Sequence, residues 1–309
     1  MLPDTFRLAS SPRQHRADAR PERMTTMDIR RRSVLPLSAL AGAALLLPRP
    51  ARADTVLERI RRTGTVTVGT EAAYPPFEYV QDGKIVGYGK DLLTEVVSAM
   101  NVKLVQLDLP WQGVLPGLLA GKFDFVATTV GINEERAKRY AYTLPIANGM
   151  PYLLKRAGDG MTKPSDLNGK SVATQLASST EPVARALDAK LKAAGGPGYK
   201  QLRLFTSFPD CFVALASGEV DAVMQSLPSL SVLVKQRPET FALMSAADEA
   251  APPSYLAWVT RPDDTDLRDF ISTVFRRLRD DGTMGKLQDK WFGLRMEIPD
   301  SGYLPPGAI

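Results

Sequence analysis

LLAGKFDFVATT (Leu118–Thr129) and ALASGEVDAVMQ (Ala214–Gln225) are two statements of one pattern. Each carries the end of an amphipathic helix, a turn with glycine (Gly121, Gly218), an acid (Asp124, Asp221), and an apolar run that finishes in polar side chains. A helix stopped by glycine and followed by a short β-run is how a sheet covered by helices is written in sequence. The recurrence predicts an α/β protein of two similar lobes, each an open sheet flanked by helices. Ligands of open α/β sheets bind beyond the carboxyl ends of strands. Thr128–Thr129 and Gln225–Ser226 are therefore expected to face each other across a cleft.

Outward from these phrases the alternation continues. Strands are expected at 65–70, 103–109 and 123–129, with helices at 89–100 and 112–120. A second cycle is expected at 171–174, 201–205 and 222–225, with helices at 180–194 and 209–217. The chain then returns through a strand at 254–260 and helices at 266–280 and 283–291. Two crossings, near 146–152 and 250–255, assign 54–147 and 253–309 to the first lobe and 148–252 to the second.

The residues gathered at the expected cleft suit a small zwitterion or carboxylate. Arg136 can fork onto a carboxylate, Thr128 and Thr129 supply hydroxyls, and Tyr74 and Trp111 can sandwich an apolar stem. Glu71 stands at a strand end rich in Gly and Pro. Taken alone, Arg136 in INEERAKR reads as a solvated helix-start arginine, and Glu134 and Glu135 as acids favouring the positive end of that helix. Gly87-Tyr88-Gly89 lacks the rest of a dinucleotide fingerprint. Trp258 and Trp291 read as structural, and Arg276–Arg279 as a solvated helix face.

The charge is unevenly placed. Residues 1–53 hold ten arginines against four acids, a net +6, which leaves −1 of the whole-chain +5 for residues 54–309. The basic balance thus belongs to the leader, and a nearly neutral remainder argues against a nucleic-acid partner. That leader has a basic region around Arg30–Arg32, an apolar run from Val34 to Leu47, and Ala51-Arg52-Ala53 as a cleavage site. The run is shorter than the roughly 20 residues that span a bilayer. Arg31-Arg32-Ser33-Val34-Leu35 resembles a twin-arginine export signal, with Pro36 where a lysine is usual. Cleavage after Ala53 and a soluble periplasmic protein are expected. The sole histidine, His15, precedes the signal, and the sole cysteine is Cys211. No intramolecular disulfide, metal site, cofactor or His-based catalysis is expected after Ala53, and Cys211 reads as core.

Seven phrases stand in one order: GTEAAYPPFEY, DGKIVGYGKDLL, WQGVLPGLLAGKFD, EERAK, LASSTE, GEVDAV and DGTMGKLQDKWFG. In them the chain from 54 to 300 resembles the extracellular solute-binding proteins of polar-amino-acid ABC importers, family 3. The resemblance implies a type II periplasmic-binding clamp, a monomer that closes on a small amino acid or related carboxylate and delivers it to a membrane permease. It implies that Tyr74 and Trp111 enclose the ligand, that Glu71 reads its side chain, and that Thr128 and Thr129 supply hydroxyls. Arg136 would take the α-carboxylate, with Ser178 and Ser179 at a helix start in the second lobe. Three positions depart from the family pattern. Ser226 replaces the usual ammonium-accepting Asp, Gly131 replaces a hydroxyl residue, and Gly89 replaces an acid. The same resemblance admits a cyclohexadienyl-type dehydratase, whose chemistry needs a cleft acid such as Glu71 or Glu181, and a periplasmic helper or sensor module.

Overall fold

A computed structural model describes residues 54–245 and 254–309. The chain divides into two units, Met1–Arg52 and Ala53–Ile309, and the second is the subject below. The expected export signal, and most of the expected crossing at 250–255, lie outside the described residues.

A capping box opens the fold. Thr55 and Glu58 satisfy each other's backbone N–H groups at the start of α1 (Val56–Thr63), and Gly64, in the left-handed region, ends it. There follow β1 (Thr65–Thr70), a small antiparallel sheet of β2 (Ala73–Tyr74), β3 (Glu78–Gln81) and β4 (Lys84–Val86), then α2 (Tyr88–Met100) and β5 (Lys103–Asp108). Next come α3 (Trp111–Leu119), β6 (Phe125–Gly131), the single turn α4 (Glu134–Ala137) and β7 (Ala141–Asn148). The middle of the chain supplies β8 (Pro151–Arg156), β9 (Ser171–Gln175), α5 (Thr180–Ala193), β10 (Gln201–Phe205), α6 (Phe208–Ala216), β11 (Ala222–Ser226), α7 (Leu227–Gln236) and β12 (Phe241–Ser245). It closes with β13 (Tyr255–Thr260), α8 (Thr265–Asp280) and α9 (Thr283–Phe292).

Two five-stranded sheets result, in the orders β5-β1-β6-β13-β7 and β10-β9-β11-β8-β12. In the first, β1 runs parallel to β5 and β6, and β13 inserts antiparallel between β6 and β7. In the second, β9 runs parallel to β10 and β11, and β8 lies antiparallel between β11 and β12. The two orders match strand for strand. The phrases quoted at the outset end in β6 and β11, the middle strands of the two sheets, so the internal repeat is a repeat of architecture. Where the chain passes between sheets, the Gly149 N–H donates to the Ser254 carbonyl at 2.6 Å and the Leu227 N–H to the Met150 carbonyl at 2.9 Å. The fold is a two-lobed α/β clamp.

Alternation along β6 builds two cores at once. Phe125 and Ala127 pack with residues of α2 and α8, while Val126 and Val130 pack with Val114 and Leu118 of α3. Trp258 on β13 lies fully buried between Phe125 and Phe275, with ring centroids at 5.8 and 5.0 Å. The α8 residues Leu267, Ile271, Val274, Phe275 and Leu278, spaced at helical period, form the buried face that packs toward β7. Cys211 is buried in α6.

The expected strand at 123–129 begins two residues later. Phe123 and Asp124 are spent on anchoring: the Phe123 ring fills the space that side chains at Gly69 and Gly117 would occupy. Asp124 accepts the Thr67 backbone N–H at 2.8 Å and pairs with Arg59. This carries the strand on to Gly131. Among the described residues no helix is long and apolar enough to cross a membrane, and no group of His, Cys, Asp and Glu could hold a metal ion.

Candidate functional site

The carboxyl ends of both sheets meet. From the first lobe come Glu71 just after β1, Tyr74 on β2, Trp111 at the start of α3, Thr129 and Gly131 on β6, and Arg136 on α4. The second lobe contributes Gln175 at the end of β9, Ser178, Ser179 and Thr180 around the start of α5, Phe208 at the start of α6, and Ser226 at the end of β11. With Leu256 they enclose a cavity of about 20 Å³, close to the space one water needs. The clamp is shut on itself.

Hydrogen bonds sew the seam. The Trp111 indole N–H and Arg136 Nη2 both donate to the Ala177 carbonyl, at 2.9 and 2.7 Å. Tyr74 and Ser226 share a hydroxyl–hydroxyl bond of 2.7 Å, and the Ser229 hydroxyl donates to the Pro75 carbonyl at 2.7 Å. Gln175 donates its amide to Glu71 and to the Thr206 carbonyl. Ala177 adopts φ 58° and is held there by Glu181, whose carboxylate accepts the Ala177 N–H at 2.8 Å. Tyr74 is stacked between Phe77 and Phe208, at 5.2 and 5.4 Å between centroids. Of these groups Glu71, Tyr74, Trp111, Arg136, Gln175 and Ser226 line the cavity.

Two charged groups line the cavity, one of each sign. The short helix α4 is capped by Asn133, which accepts the Arg136 backbone N–H at 2.9 Å. The Arg136 guanidinium thereby lies 5.4 Å over the Trp111 ring and donates to the Gly131 carbonyl at 3.2 Å. Among the described residues it forms no ion pair. Burial pulls it below its ordinary pKa, though a guanidinium stays charged at neutral pH. Glu71 is 5 % exposed. Burial raises its pKa to about 7, Gln175 opposes the rise, and Asp108 adds to it. Among the described residues no cation pairs with Glu71. A guanidinium and a carboxyl without ionic partners, set in one wall, form a receptor for a molecule with opposite charges at its ends.

The second wall is neutral. Ser178 and Thr180 share a bond of 3.0 Å, and Thr174 and Thr180 one of 2.7 Å. Ser179, the residue before α5, makes no capping bond with its side chain. A β-carbon at Gly131 would overlap the Ser179 hydroxyl. The hydroxyl expected at 131 is thus delivered from the opposite lobe, and glycine is what lets it come so near. The Thr129 hydroxyl is buried and unpartnered, free for a solute.

Thr128 is the correction. It was expected to face the ligand with Thr129, yet adjacent strand residues point to opposite faces, and its hydroxyl donates to Glu78 Oε2 at 2.8 Å. The sequence reading missed Gln175, Thr180, Phe208 and Leu256. Gln175 could have been found as the last residue of a strand just before LASSTE. Nothing local marks Phe208, which reads as an ordinary helix-start aromatic until the lobes close.

The sequence profile of the bacterial extracellular solute-binding proteins, family 3, matches residues 66–294. The L-cystine-binding protein TcyJ of Escherichia coli K12 is 26% identical over 266 residues, covering 85% of this chain and 96% of that protein. An ancestral arginine-binding protein bound to arginine superposes with a TM-score of 0.66 at 29% identity, covering 74% of this chain and 99% of its own. The ancestral amino acid-binding protein AncCDT-1, a precursor of cyclohexadienyl dehydratase, superposes with a TM-score of 0.68 at 26% identity, covering 77% and 100%.

Proposed function

The chain belongs to the bacterial extracellular solute-binding proteins, family 3, and on that premise we propose that its clamp captures a small amino acid or related polar carboxylate for an ABC importer. The observation that carries the assignment of groups is the pair of charged residues in the first lobe that have no ionic partner among the described residues. Arg136 takes the solute's carboxylate in place of the Ala177 carbonyl. Glu71 takes its basic group in place of the Gln175 amide. Ser226, paired with the Tyr74 hydroxyl, carries no charge with which to hold an ammonium, so that duty passes to Glu71. The first N–H groups of α5 favour an anion by the helix dipole, and Thr129 and Ser179 add hydrogen bonds.

Mechanism follows from the shut seam. Most polar groups along the seam pair with one another, so a solute favours the closed form by exchanging these bonds for stronger, charge-assisted ones and by reaching the unpartnered Thr129 hydroxyl. Lobe 54–147 with 253–309, and lobe 148–252, would move as the two bodies of a hinge. Residues 1–53 would direct export to the periplasm and be removed after Ala53, leaving a monomer that docks on a membrane permease. N-terminal sequencing of the exported protein tests the cleavage.

Thermal unfolding of ligand-stripped protein against amino acids and their deaminated analogues tests the capture. A solute at about 100 times its Kd adds roughly 2.7 kcal/mol, several degrees of Tm. A response to amino acids and not to deaminated analogues supports Glu71 as the ammonium acceptor; a response to the analogues alone opposes it. One observation favours a second reading. Glu71, held near neutrality, is suited to general-acid work, and AncCDT-1 is described as a dehydratase precursor. Turnover of a cyclohexadienyl carboxylate, lost in E71Q, would establish an enzyme.

A further inference from the structure

Glu78 is an acid with no exposed surface and no contact with the cavity. Its Oε2 accepts the Thr128 hydroxyl at 2.8 Å. Its Oε1 has no hydrogen-bond partner among the described residues and fills the space a side chain at Gly89 would take. On its own hairpin Glu78 stands opposite Tyr74 in the β2–β3 ladder. Its side chain therefore ties the end of β6 to the start of α2, while its backbone pairs with the strand that carries Tyr74. Acids are rarely left so deep without a cation unless something is gained by their place.

The gain is orientation. A strand shows alternate residues to opposite faces, so fixing the Thr128 hydroxyl on the buried side fixes Thr129 on the cavity side. Thr129 is the residue whose hydroxyl is left unpartnered there. We propose that Glu78 is a positioning residue for solute binding: by holding Thr128 on the buried side of β6, it aims the Thr129 hydroxyl at the solute. The proposal rests on solute capture as the function. Gly89 belongs to the same device, because any β-carbon there displaces the Glu78 carboxyl. Burial, with the Glu71 charge adding to it, raises the Glu78 carboxyl well above its ordinary range. An amide at 78 keeps the side-chain length and an oxygen that can accept the Thr128 hydroxyl.

The test uses E78Q, E78A, G89A and the double variant E78A/G89A, with two readouts. Hydrogen exchange on the solute-free protein reads the β6 amides, and calorimetric titration with L-arginine as probe reads affinity. E78A and G89A are each expected to speed exchange at 128–131 and weaken binding by about tenfold, while E78Q stays within about threefold of the parent. The double variant should be no worse than E78A alone, since the overlap at Gly89 is gone; such non-additivity marks a shared site. Unchanged exchange in E78A, or faster exchange with no loss of affinity, overturns the proposal. An additive double variant does so too. Should the parent protein bind neither L-arginine nor any other amino acid, it is the capture reading that fails, and the exchange pattern still decides whether Glu78 anchors β6.

Discussion

The ends of β6 and β11 hold the same place in matching sheets, yet they are built to different purposes. Around the end of β6 the first lobe gathers every charge that lines the cavity, Glu71 and Arg136, together with the unpartnered Thr129 hydroxyl. Around the end of β11 the second lobe offers hydroxyls, an amide, carbonyls and a helix start, all neutral. Architectural symmetry is thus coupled to chemical asymmetry. A wall with fixed charges can hold a zwitterion while the clamp is open, and a neutral wall can close over it without burying an unpaired ion. On the proposed function, the first lobe binds and the second then excludes water.

The sharpest way to break this comparison is to remove the first lobe's cation. R136A should weaken solute binding by two to three orders of magnitude, in line with roughly 2–5 kcal/mol for truncating one partner of a buried charge pair. R136K should recover only part, because an ammonium lacks the planar fork. Isothermal titration measures both. A loss below about threefold in R136A would mean the carboxylate is held elsewhere.

Removing the anion comes next. E71Q should weaken binding of solutes with a basic group by about ten- to a hundredfold and leave carboxylates without one nearly untouched. Its pH signature has a definite sign. The Glu71 pKa in the closed clamp, about 7, lies above the ordinary carboxyl value of 4.5, so the closed form binds the proton more tightly than the unfolded chain. Stability of the empty closed form is therefore fully present below about pH 4.5 and falls as pH rises to about 7. A cation arriving at Glu71 needs the ionised form, so binding at pH 6 should expel close to one proton, and at pH 8 almost none. Calorimetry in buffers of different ionisation enthalpy reads this directly, and E71Q should show no such release.

A milder perturbation makes the lobes more alike. S226D places an acid in the neutral wall and disrupts the 2.7 Å bond to Tyr74. It should loosen the empty closed form and shift preference toward solutes with a free ammonium by about tenfold. Unchanged preference would show that position 226 does not meet the solute. The smallest effect contrasts neighbours: T129V should weaken binding about threefold to tenfold through a lost hydrogen bond. T128V strips Glu78 of its donor and, like E78A, should speed exchange at 128–131 and weaken binding, with a drop in Tm besides.

Much of this was legible in the sequence because local pattern and architecture agree. The recurring helix–glycine–acid–strand phrase marks the middle strands of both sheets, and strand ends marked the site. What escaped did so for physical reasons. β7 contains Pro145 and β8 begins with Pro151; proline argues against a strand interior but is tolerated at a sheet edge or a first strand position, which are the places found. α7 opens with Leu227-Pro228, a helix-start proline easily read as a loop. Thr128 was misjudged because a pair of adjacent threonines invites one role, whereas the strand period forces two. Phe208 and the Gly131–Ser179 contact arise only between residues far apart in the chain, where no local pattern speaks.

The central claim, that one lobe holds both charges of the solute, is tested most directly by a crystal structure with a bound amino acid chosen by the thermal panel. Its carboxylate should be forked on Arg136, the Ala177 carbonyl released, and its basic nitrogen within hydrogen-bond reach of Glu71, with only neutral contacts from Ser179 and Ser226. A solute whose charged groups lie against the second lobe, with Arg136 still donating to Ala177, would contradict it.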